Sequence, residues 1–164
     1  RQMCIRDSFM SFLYLLEGIR CPFLDRLFSL ITELGGETLY MAVAIAVYWC
    51  VSKGLGYYIL TTGFVGTIAN QFLKLCFRIP RPWVLDPDFS IVESARAGAT
   101  GYSFPSGHTQ NAFSSFGCLG MWTKGGWRAL CFAIVVLIGF SRMYLGVHTP
   151  LDVGVAFVLS LIHI

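Results

Sequence analysis

The sequence predicts an all-α, polytopic transmembrane helix bundle of about five to six helices, the terminal ones truncated, with one amphipathic helix in the membrane interface. Two observations carry this. Of 164 residues, 13% are charged and 55% hydrophobic, with mean hydropathy +0.66; so few charges cannot cover a soluble domain this small. The apolar residues also fall into uncharged blocks separated by short polar punctuation. The same figures exclude disorder and collagen-like repetition. Twelve basic against nine acidic residues leave a net charge of +3, but no basic run suggests nucleic acid.

Each element follows from its pattern. Residues 9–16 are the tail of a truncated apolar segment. Pro22 then opens a stretch with Phe23, Leu24, Leu27, Phe28, Ile31 and Leu34 at helical spacing, interleaved with Asp25, Arg26 and Glu33. This is the interfacial helix. Blocks 38–52, 54–73, 109–123 and 129–141 are uncharged, and the chain runs apolar again from Val153. Several are shorter than the ~20 residues of a lone span, but inner helices of a bundle borrow flanking residues, giving five spans at least partly present. The long connection 82–105 exceeds a turn.

The two ends carry one DNA sequence read on opposite strands. Leu159-Ser160-Leu161-Ile162-His163-Ile164 is encoded by CTG TCT CTT ATA CAC ATC, whose reverse complement contains codons for Met3-Cys4-Ile5-Arg6-Asp7. That string resembles a sequencing adapter. Residues 1–8 and 159–164 are therefore expected to be artefact, leaving 9–158 as a single domain. The five cysteines inside it show no disulfide or zinc spacing, and two histidines remain, His108 and His148.

Lys53 in one hairpin, and Lys124 with Arg128 in another, occur without acidic neighbours, so the positive-inside rule puts both in the cytoplasm. The opposite face then carries Lys74, Arg78, Arg81, Arg96 and Arg142, against a plain count, which implies another task for these cations.

That face holds three polar patches. Lys74 and Arg81 lie seven residues apart, about 10 Å along one helix face if the helix persisted; Pro80 and Pro82 are expected to break it and turn Arg81 toward the loop. In Pro105-Ser106-Gly107-His108, Ser106 suits an N-cap and Gly107 admits a ligand close to the backbone, beside free N–H groups. In the third patch, Ser141-Arg142 precede His148 and Asp152, with Thr149 and Pro150 at N-cap and first helical positions. His148 and Asp152 thus converge where a helix begins. Singly, each patch has a structural reading: basic residues at span ends snorkel, Ser106 caps, and Asp152 completes a capping box with Thr149. Together, three cations, two histidines, a carboxylate and a helix start are equipment for holding a phosphate and breaking its ester.

Lys74-x6-Arg81-Pro82, Pro105-Ser106-Gly107-His108 and Ser141-Arg142-x5-His148-x3-Asp152 resemble, at all eleven positions, the tripartite signature of the type 2 phosphatidic acid phosphatase superfamily. The resemblance implies that His148 attacks phosphorus, Asp152 orients it, and His108 protonates the leaving oxygen. It further implies that Lys74, Arg81, Arg142, Ser106 and Gly107 hold the phosphoryl group, with no metal and no cofactor. It implies a lipid phosphate or pyrophosphate as substrate: undecaprenyl pyrophosphate, phosphatidate or phosphatidylglycerol phosphate. The expected home is a bacterial inner membrane, with the site extracytoplasmic. Soluble vanadium-dependent haloperoxidases share the signature, but the uncharged blocks argue against that branch. A non-hydrolytic lipid-phosphate binder or transporter on the same fold is the alternative; it would be expected to lose His108 or His148, and this chain keeps both. Asn70 and Gln71, polar within the membrane, either face the bundle interior or a substrate groove or, the preferred reading, bond between helices.

Overall fold

A computed structural model describes the backbone of residues 2–163 and side chains over 9–162; Arg1 and Ile164, within the two end strings, lie outside the described residues. Among these residues the chain is 76% helical, without a strand. The helices are α1 (Gln2–Gly18), α2 (Pro22–Glu33), α3 (Glu37–Cys50), α4 (Lys53–Phe77), α5 (Pro82–Leu85), α6 (Gly107–Ala112), α7 (Cys118–Trp122), α8 (Gly125–Tyr144) and α9 (Pro150–His163). A π-helical turn, Phe113–Gly117, joins α6 to α7, so 107–122 is one helical rod with a bulge.

The boundaries have local causes. The Ser52 hydroxyl accepts from the Leu55 N–H at 3.4 Å and starts α4. Arg78 takes the left-handed conformation, φ 47°, and ends it, donating its N–H to the Lys74 carbonyl at 2.9 Å. The helix therefore stops before Pro80, and Arg81 leaves the Lys74 face, as the prolines foretold.

Close approach along α4 depends on missing side chains. A Cβ on Gly56 would stand 2.5 Å from Tyr48 Cα, and one on Gly63 1.9 Å from the Tyr40 hydroxyl. With that space open, Tyr40 donates to the Leu60 carbonyl at 3.0 Å, and α3 and α4 pack through Tyr40, Ala44, Val47, Leu55 and Ile59. A second cluster seats Leu24 and Phe28 of α2 on Tyr144 and Phe140 of α8. A third joins the 107–122 rod to α8 and α9 through Phe113, Val135, Ile138 and Phe157. Phe113 and Phe157 meet edge-on at 5.0 Å.

Large apolar side chains also face outward, among them Phe64, Ile68 and Phe72 on α4 and Trp127 and Val136 on α8, the surface expected against lipid. By length and apolarity, Gly125–Tyr144 passes as a membrane span, and Pro22–Glu33 with Glu37–Cys50 passes as a pair bent by 47°. The five to six expected spans are thus not all recovered on this measure. α4 has 25 residues, but a polar stripe through Thr67, Asn70, Gln71 and Lys74 dilutes it. The helix expected in the interface, α2, turns the half-buried Leu24 and Phe28 and the buried Thr32 toward α8 while exposing Phe23, Leu27 and Leu30. Its apolar residues occupy two sides because it is packed and outward-facing at once.

Candidate active site

The ends of α4, α6, α8 and α9 meet around a cavity of about 180 Å³ lined by Lys74, Arg81, Gly107, His108, Arg142 and His148. Six of the eight site residues expected from sequence therefore share one lining. Asp152 and Ser106 stand behind it. Asp152, buried, backs His148 at 3.5 Å from Nδ1. The Ser106 hydroxyl is turned inward, accepting from the Thr109 hydroxyl at 3.0 Å and the Thr109 N–H at 3.5 Å.

Arg81 is held on every side. Its Nη2 donates to the Thr100 carbonyl at 2.8 Å, its Nε to Gly101 at 3.2 Å, and its Nη1 to Val147 at 2.9 Å. Nη1 also lies 3.0 Å from His148 Nε2. A guanidinium only donates, so Nε2 must be the accepting, unprotonated nitrogen. The proton then sits on Nδ1, facing Asp152. Burial holds the Arg81 pKa down to about 10, opposed by Asp152, so the cation persists at neutral pH. Burial also pushes the His148 pKa well below its ordinary value, with Arg81 and Arg142 adding to the shift and the Asp152 hydrogen bond opposing it. At neutral pH the imidazole is uncharged, and its Nε2 lone pair accepts from Arg81 Nη1.

Asp152 is itself fixed. It accepts from the Ser103 hydroxyl at 2.5 Å and the Thr149 N–H at 2.8 Å, while its own N–H donates to Thr149 Oγ1 at 3.3 Å. The capping box and the carboxylate behind the imidazole are thus one arrangement, and the two readings of Asp152 do not compete.

Several partners carry no local sequence signal. Carbonyls of Tyr102 and Ser103 accept from Lys74 Nζ at 2.7 and 3.5 Å, so the segment 100–103 organises two cations. Thr32, buried on α2, accepts from Arg142 Nη1 at 2.9 Å across 110 residues. Arg142 Nε and Nη2 are buried without a partner, donors left for an anion. Asn70 and Gln71 line the cavity with Thr67 and Lys74, rather than serving simply to bond helices together. Their i, i+3, i+4, i+7 spacing ending on Lys74 was the signal that could have found them. Arg96 is engaged elsewhere, 2.8 Å from Glu93 and stacked over Trp83.

Residues 53–164 match the PAP2 superfamily. Undecaprenyl-diphosphatase BcrC of Bacillus subtilis is 34% identical over 62% of this chain and 50% of its own length. Phosphatidylglycerophosphatase B of the same organism is 28% identical over 88% of this chain and 73% of its own. A probable sphingosine-1-phosphate phosphatase of Dictyostelium discoideum is 26% identical over 89% of this chain, which spans 38% of it. The chain thus spans half or less of two of these curated relatives. The crystal structure of Aquifex aeolicus LpxE superposes with a TM-score of 0.84 at 29% identity, covering 95% of this chain and 92% of that one. A transmembrane PAP2-type phosphatidylglycerolphosphate phosphatase from Bacillus subtilis superposes at 0.77 with 25% identity, over 98% and 82%. A match over residues 53–164, which include all three motifs around the cavity, makes this chain a member of the PAP2 superfamily.

Proposed function

We propose that the protein is an integral-membrane phosphatase that hydrolyses a lipid phosphate or pyrophosphate through a phosphohistidine on His148. The observation that carries this is the line Arg81–His148–Asp152, with the Nε2 lone pair turned to the Arg81 guanidinium at the cavity wall and Nδ1 facing the carboxylate.

In this reading the phosphoryl oxygens displace Arg81 Nη1 from Nε2 and are held by Arg81, Arg142 and Lys74, the arginines by paired donors. Burial and the flanking cations hold the His108 pKa below its ordinary value, so the ring takes up its proton as the phosphate's negative charge enters beside it. Nε2 then attacks phosphorus in line while the bond to the lipid oxygen breaks, and the protonated His108 gives that oxygen its proton. Asp152 steadies the Nδ1 proton as the ring becomes cationic. Water then attacks phosphorus, giving its proton to His108, and the P–N bond breaks to release inorganic phosphate. The N–H of Gly107 completes the phosphoryl cradle, and Ser106 supports it as the cap of that turn.

The named relatives act on undecaprenyl diphosphate and phosphatidylglycerophosphate; those two and phosphatidate are the candidate substrates. The basic hairpins at Lys53 and at Lys124 with Arg128, read by the positive-inside rule, support a cavity on the extracytoplasmic face, and the Bacillus relatives support a bacterial inner membrane as its home. Phosphate release by detergent-solubilised protein, with EDTA present, tests the reading. Release by wild type and none by His148→Ala is expected. No release from any of the three lipids by folded protein that still binds them would overturn it in favour of a binding or transport role.

A further inference from the structure

Besides the residues of the phosphoryl cradle, the cavity is lined by an uncharged and acidic set of side chains, its annex. On α4, Asn70 is buried with its Nδ2 unpartnered, and it lines the same space as Gln71, Asn111 of α6 and Glu37 at the start of α3. Glu37 has a plain role available as a first-turn acid of α3, but that role does not require a position on the cavity wall. Three cations and one carboxylate leave the lining at a net charge of +2. Glu33 adds a second carboxylate in the adjoining cavity, which shares His108 and Arg142 with the first.

We infer that this annex selects a phosphomonoester whose leaving group carries a hydroxyl or amino group close to the ester oxygen, and disfavours a diphosphate. A phosphomonoester near neutral pH carries a charge of about −1.5 to −2, which matches the lining. The further negative charge of a diphosphate would meet no additional cation and would face Glu37. A hydroxyl can accept from the unpartnered buried amide of Asn70 and donate to the carboxylate of Glu37, whereas an ammonium has only the carboxylate to bond. A site built to bond such a group discriminates against analogues lacking it, because its own polar atoms are then left unsatisfied. The inference rests on the phosphatase reading above and narrows its substrate class.

The test compares kcat/KM in mixed micelles for phosphatidylglycerophosphate, which has a free hydroxyl beside its terminal phosphate, phosphatidate, which has none, and undecaprenyl diphosphate. Wild type is expected to prefer the first over the third by about tenfold or more, the scale of one substrate hydrogen bond with its charge mismatch. Asn70→Leu is expected to bring the ratio between the first two toward one. Glu37→Gln, an exposed and conservative change, is expected to raise diphosphate turnover several-fold relative to the monoesters. Faster turnover of the diphosphate by wild type, or equal effects of both variants on all three lipids, would overturn the inference while leaving the phosphatase reading standing. No turnover of any lipid by wild type would overturn that reading, and this one with it.

Discussion

Thr32→Val removes one hydroxyl from the second sphere of the cavity and nearly preserves side-chain shape. In the native protein that hydroxyl accepts from Arg142 Nη1 at 2.9 Å, and both residues are buried. A hydrogen bond to a charged group contributes about 1.5–3 kcal/mol, and each 1.4 kcal/mol is roughly tenfold in rate or affinity. If the bond aims Nε and Nη2 at the phosphoryl group, kcat/KM should fall by about 10- to 100-fold. Arg142 remains present and cationic, so the loss should stay below that of Arg142→Ala. Thr32→Ser keeps the hydroxyl and should recover most of the activity. The assay is phosphate release at several substrate concentrations, alongside circular dichroism to establish equal folding. A Thr32→Val enzyme within twofold of wild type, or a Ser variant as impaired as Val, would refute the reasoning.

Asp152→Asn exchanges a carboxylate that accepts two hydrogen bonds and faces His148 Nδ1 at 3.5 Å for an amide whose NH2 faces a donor, and it destroys the preference for the Nδ1 proton; kcat should drop by up to about 10⁴-fold, as where a carboxylate fixes a catalytic tautomer. Acid should destabilise the fold. His148 is held neutral when folded and takes its proton only on unfolding, so its contribution to stability is lost as pH falls below about 6.5, by at most about 1.4 kcal/mol per pH unit. His108, buried beside the same cations, is depressed in the same direction and adds to the effect. Unfolding temperatures in detergent between pH 7.5 and 5 should show the combined slope, and His148→Gln should reduce it to the share of His108. Gly56→Ala would place a methyl 2.5 Å from Tyr48 Cα, where backbone must move; about 1–3 kcal/mol of overpacking should lower the unfolding temperature by several degrees, with activity of the folded fraction retained.

Much of the site was legible because its geometry is encoded locally. Ser106 and Thr149 are caps, Pro80 and Pro82 forbid continuation of α4, and the i, i+4 relation of His148 to Asp152 spans one helix start. What escaped the sequence depends on tertiary contact. Thr32 sits in an amphipathic helix 110 residues before Arg142, and nothing in that helix distinguishes it from Ser29. The carbonyls of Thr100, Gly101 and Tyr102 are side-chain independent, so no residue type announces that they hold Arg81 and Lys74. The span count was less legible for a related reason: the polar stripe that lines the cavity makes α4 less apolar than an isolated span, while α2 and α3 share a bent path.

The central claim is a covalent phosphoenzyme on His148. Brief incubation of purified protein with a ³²P-labelled lipid phosphate, followed by alkaline quench and peptide mapping, tests it most directly. The account predicts alkali-stable, acid-labile label on the peptide containing His148 and none in His148→Ala. Turnover without label on His148, or acid-stable label on a serine, would contradict it.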